Sequence, residues 1–133
     1  MNCSDNNCSS CIFDILKKIL MLQQQNFDEN FVGCDKPFLG PSLPTLAYNT
    51  RPIQLFNGST GTPWTFEYTL ADGTTGTSDV LRVESLDDCC CTCRILYLDP
   101  TTSTYLSTAE FVTIDLNYCG AIRCLTDTFI TLN

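Results

Sequence analysis

The sequence predicts a mainly β protein, an antiparallel β-sandwich preceded by one short N-terminal amphipathic helix. Three observations carry that expectation. From Arg51 onward the apolar residues fall at period two: Trp64, Phe66, Tyr68 and Leu70 interleave with Thr65, Glu67 and Thr69. Leu81, Val83, Ser85 and Val112, Ile114, Leu116 read the same way. Successive side chains of a strand point to opposite faces, so this alternation marks half-buried strands. Turn chemistry separates the runs at Asn57-Gly58 and Asp72-Gly73, and Asp99-Pro100 ends another. Helical spacing occurs only at Ile12, Ile15, Leu16, Ile19 and Leu22, with Ser9 or Ser10 as N-cap. Short strands at regular intervals, with a single helix outside them, predict two packed antiparallel sheets.

In chain order, residues 1–10 are polar and rich in Asn, Ser and Cys, which predicts a flexible arm. The helix follows over 11–25. Gly33, Pro37, Gly40, Pro41 and Pro44 break any regular pattern over 26–48, which reads as a loop wrapping the domain. The β domain occupies 49–133, with Trp64, Phe66, Leu81, Val83, Ile114 and Ile122 as its expected core. A chain of 133 residues suits one domain rather than two.

Composition removes several functional classes. A net charge of −8 repels nucleic acid and anionic membrane surfaces, so neither is an expected partner. The apolar stretch Ile12 to Leu22 is too short to span a bilayer, and Asp14, Lys17 and Lys18 interrupt it. Met1 to Asp5 lacks the basic start and apolar core of a secretory signal, so the expectation is synthesis in a cytosol and oxidation afterwards. Without a histidine there is no His-based triad, His metal ligand or His general base. Asp87, Asp88 and Glu84 read as turn and surface residues, because neighbours on a strand face opposite ways. No enzymatic activity and no cofactor are expected.

The ten cysteines are the informative residues. In Cys89-Cys90-Cys91-Thr92-Cys93 an extended chain sends Cys89, Cys91 and Cys93 to one face and Cys90 to the other. Cα atoms two residues apart in a strand are about 6.5–7 Å apart, at or beyond the disulfide range. This comb is therefore expected to find its partners elsewhere: Cys119 and Cys124, the N-terminal arm, or another copy. The arm cysteines Cys3, Cys8 and Cys11, together with Cys90, are the inter-chain candidates. Cys89, Cys91, Cys93, Cys119 and Cys124 are the intra-domain candidates, and no role is assigned to Cys34. A zinc-binding interaction module is the alternative, with Cys89, Cys91, Cys119 and Cys124 as ligands, although paired knuckles at ribbon-like spacing are lacking. Cys8-Ser9-Ser10-Cys11 at a helix start would favour a thiolate, but no strand–helix–strand context for a redox enzyme accompanies it.

Three segments in order carry a family resemblance: Asn49-Thr50-Arg51-Pro52, then Arg82-Val83-Glu84-Ser85-Leu86-Asp87-Asp88 with cysteines directly after, then Thr113-Ile114-Asp115-Leu116 leading to Ala121-Ile122-Arg123-Cys124-Leu125. They resemble the CotY/CotZ/ExsY spore coat and exosporium family. The resemblance implies a structural protein made in the mother cell without a signal peptide. It implies self-assembly at the endospore surface into a two-dimensional lattice, stabilised by disulfides. Its partners would be copies of itself and other coat or exosporium proteins. Relatives carry a Cys-x-Cys-Ala-Ile-x-Cys run near the end, where this chain reads Tyr118-Cys119-Gly120-Ala121-Ile122-Arg123-Cys124. Their cross-link map therefore does not transfer directly.

Overall fold

The computed structural model describes residues 11–24 and 48–132. The arm expected over 1–10, with Cys3 and Cys8, and nearly all of the loop expected over 26–48, with Cys34, lie outside the described residues. Helix α1 spans Cys11–Gln23 and buries Ile12, Leu16, Ile19, Leu22 and Gln23. Steps of three and four residues place these side chains on one stripe. Seven strands follow: β1 (Ile53–Asn57), β2 (Phe66–Thr69), β3 (Thr75–Ser78), β4 (Val80–Asp87), β5 (Cys90–Asp99), β6 (Thr104–Asp115) and β7 (Cys119–Cys124). Leu116, expected on a strand, instead begins a 3-10 turn over Leu116–Tyr118, where the Asp115 carboxylate accepts from the Asn117 N–H.

Five strands form one sheet in the order β6-β5-β4-β1-β7, with every pairing antiparallel. Strands β2 and β3 form a separate hairpin. Its turn is the expected Asp72-Gly73: Gly73 sits at φ +90°, and the Asp72 carboxylate accepts from the Thr74 N–H. Only a residue without Cβ takes that φ at no steric cost.

The expected β-sandwich is corrected. One apolar face of the sheet is covered by α1, whose Ile12, Leu16 and Ile19 join Ile53, Leu55, Leu81, Val83, Cys91, Cys93, Ile95 and Ile114 in a single buried cluster. Trp64, Phe66 and Tyr68 of the hairpin segment pack against the same cluster. A sheet face needs one apolar cover. The helix stripe supplies it, and a hairpin of two four-residue strands is too short to act as a second sheet. Leu81, Val83 and Ile114 are buried as the sequence indicates, while Trp64, Phe66 and Ile122 are only half-buried. The opposite face holds a smaller cluster of Val80, Leu96 and Ile130, with a polar network beside it.

Candidate functional site

Strand β5 distributes its cysteines by parity. Cys91 and Cys93 point into the core shared with α1, and their Sγ atoms approach to 3.3 Å. That is a thiol–thiol contact rather than a bond, since a disulfide is about 2.05 Å long. The hydrogen bond to Cys91, together with burial, pushes the Cys93 thiol well above its ordinary range, so it stays protonated. Cys89 lies just before β5, and its carbonyl accepts from the Leu116 N–H. Cys90 opens the strand, opposite Asp87 on β4 and Asp115 on β6. Both Cys89 and Cys90 are buried and disulfide-bonded. Cys11, Cys91, Cys93, Cys119 and Cys124 are free thiols.

Two further cysteines bracket β7. Cys119 is half-buried, and its thiol is pushed up to about 12 by burial and by the nearby Cys91 and Asp115. Cys124 is exposed; burial of part of its surface raises its thiol, the Arg51 guanidinium opposes this, and Asp127 adds to it. Cys119 and Cys124 stand at opposite ends of one strand, about 16 Å apart at 3.3 Å per residue. They do not meet, and the four ligands of the zinc alternative do not converge. Among the described residues no group of three Cys, Asp or Glu side chains is placed to hold a metal ion. Cys11, at the first residue of α1, is exposed.

Two of the three segments that carry the family resemblance, 49–52 and 82–88, meet through a polar network centred on the other face of the sheet. Arg82 and Arg94 are direct cross-strand partners, both buried. The pairing of β4 with β5 slips between Val83 and Ser85, leaving Glu84 as an extra residue. From that bulge the Glu84 carboxylate accepts from Arg82 Nη1 at 2.5 Å and from Arg94 Nε at 3.2 Å. Arg82 also donates to Thr50 Oγ1 and to the Asn49 carbonyl, and Arg94 donates to the Thr108 carbonyl. The Arg94 guanidinium lies 4.5 Å over the Phe111 ring, a cation–π contact. Arg51 makes a two-pronged ion pair with Asp127. Its backbone N–H donates to the Gln23 side chain, whose amide donates in turn to the Val83 carbonyl.

Sequence reading missed Gln23, Arg82, Arg94, Thr108 and Asp127 as structural residues. Gln23 had a visible signal: it falls four residues after Ile19, on the apolar stripe of the helix. Arg82 and Arg94 had none, because arginine on an alternating strand reads as solvent-facing.

This polar network binds the chain to itself. Among the described residues no buried side-chain nitrogen or oxygen lacks a hydrogen-bond partner. The reactive groups left are thiols, several of them inside the fold, which defines the class: a small, cysteine-rich structural β protein. The chain matches the family described as Spore coat protein Z over residues 1–110. It belongs to that family, which is structural, non-enzymatic and located in the spore coat. No curated protein and no solved structure matches the chain. Strand β7, with Cys119 and Cys124, lies beyond the matched residues.

Proposed function

We propose that this chain is a self-assembling building block of the endospore outer shell, forming a two-dimensional lattice that disulfides then lock. The observation that carries the reading is spore-coat family membership in a chain whose surface thiols, Cys11 and Cys124, are free. Assembly has two stages. The folded domain first makes repeated non-covalent contacts with identical copies; a lattice requires at least two different interfaces per subunit. Disulfides then convert a concentration-dependent association into a network that survives dilution. Cys11, exposed and free, serves as a link between chains, while the free β5 thiols Cys91 and Cys93 serve the domain itself. Other coat or exosporium proteins are the natural further partners.

Electron microscopy of the chain expressed alone tests the reading. Ordered sheets or rings, with a reductant-sensitive ladder on gels, are the expected result. A stable monomer at high concentration overturns it. Replacing Cys11, a free and exposed thiol, with serine is expected to leave the thermal melt unchanged and weaken resistance to boiling in denaturant. A ladder as high as that of the unaltered chain removes Cys11 as the covalent link.

A further inference from the structure

Strand β7 ends the five-stranded sheet, and β1 is its strand partner among the described residues. An edge strand offers its outer row of N–H and C=O groups to another chain. Gly120, Ala121, Arg123 and Cys124 are exposed along it. The other edge, β6, carries no cysteine.

A bulge sets the orientation of the β7 thiols. Phe56 pairs with Ala121, but the next residue of β1, Asn57, pairs with Cys119, so Gly120 is an extra residue. Cys119 and Cys124 are an odd number of positions apart and would face opposite sides of a regular strand. The extra residue cancels this and turns Cys119, Ile122 and Cys124 to one face. Gly120 also passes close to Gly58: a Cβ there would lie 2.9 Å from the Gly58 Cα, so the bulge requires glycine.

We propose that β7 is a seam between two copies of the chain, paired antiparallel about a two-fold axis at Ile122, with Cys124 of each copy disulfide-bonded to Cys119 of the other. A two-fold perpendicular to the sheet keeps each face on its own side. Centred on Ile122, it sets Arg123 opposite Ala121 of the second copy. One step further it sets Cys124 opposite Cys119, because Gly120 takes no place in the pairing. Cα atoms directly opposite in an antiparallel pair are about 4.5–5.5 Å apart. That lies inside the disulfide range of about 4.4–6.8 Å. The small side chains of Gly120 and Ala121 leave the strands free to approach.

Each bond needs an oxidant, and a low-molecular-weight disulfide suffices. The exposed Cys124 thiolate attacks it, releasing one small thiol and leaving a mixed disulfide. The Cys119 thiolate of the second copy then displaces the other half. Two protein thiols become one disulfide, and the small disulfide becomes two thiols. Burial keeps Cys119 protonated, which makes its step the slower one.

The inference rests on the self-assembly proposed above. A mixture of unlabelled and nitrogen-15-labelled full-length chain is assembled with oxidised glutathione, its free thiols are alkylated, and it is denatured and digested with trypsin without reductant. Cleavage after Arg123 separates Cys119 from Cys124. The expected product is peptide 95–123 joined to peptide 124–133, with species that combine both labels. The variants Cys119→Ser and Cys124→Ser are each expected to lose this link, and mixing the two is expected to restore it between unlike chains. Assemblies with Cys119 and Cys124 both alkylated overturn the seam and leave self-assembly standing, as does a Cys124–Cys124 product. A monomer with no assembly overturns both.

Discussion

Glu84 accepts from both Arg82 and Arg94, and these arginines face each other across β4 and β5. Like charges directly opposite on a sheet repel, so the carboxylate at the bulge is what makes this pair tolerable. Glu84→Gln keeps the shape and removes the countercharge. Breaking a buried pair costs about 3–5 kcal/mol; with the Glu84 side chain 21% exposed, a loss of about 2–3 kcal/mol is expected. A urea melt checks this, and an unchanged midpoint would mean the clasp adds no stability. The thiols give a pH dependence of definite sign. Cys119 is raised from 9.0 to about 12, so the folded state favours the protonated thiol more than the unfolded chain does. Its contribution is complete below pH 9 and is lost as pH rises toward 12. Cys93 acts in the same direction. The melting temperature of the fully reduced protein is expected to fall across that window, and less steeply in Cys119→Ser.

Helix α1 takes the place of a second sheet, and Leu16, fully buried, is its central knob. Leu16→Ala is expected to cost about 2–5 kcal/mol through lost transfer energy and the cavity left behind. Fluorescence of Trp64, which packs against the same cluster, should report the unfolding at lower denaturant. An undiminished stability would show that the hairpin alone covers the sheet. Both apolar surfaces were legible in the sequence: the helix stripe from its spacing, the strand faces from their alternation. Which surface covers which was not, because a stripe and a pleat each require only something apolar opposite. The same limit applied to β7. Its cysteines were visible, but their shared face depends on a bulge at Gly120 that exists only once Asn57 pairs with Cys119. The parity of Cys91 and Cys93 was legible, since β5 runs without interruption through them.

A chain with net charge −8 and no histidine keeps much the same charge across the neutral range, so copies repel until ions screen them. The screened repulsion decays over about 10 Å at 0.1 M salt and about 30 Å at 0.01 M. The concentration needed for assembly is therefore expected to fall when salt is raised between these values, as measured by light scattering under reducing conditions. A threshold that rises with salt would mean that attraction between opposite charges, rather than backbone and apolar contact, drives association. Exposed Phe111, Tyr118 and Phe129 supply apolar surface for such contact.

Gln23 ties the last turn of α1 both to the sheet, at the Val83 carbonyl, and to the segment leading into β1, at the Arg51 N–H. In mechanical terms it is a buckle. Tension applied to the chain at Cys11 enters the sheet through α1, and it first loads the apolar stripe and then these two bonds. A shell joined through Cys11 would pass strain into the middle of each sheet, at β4, rather than peel it from an edge. Resistance to swelling and shrinking would then depend on one amide side chain as much as on the disulfides themselves.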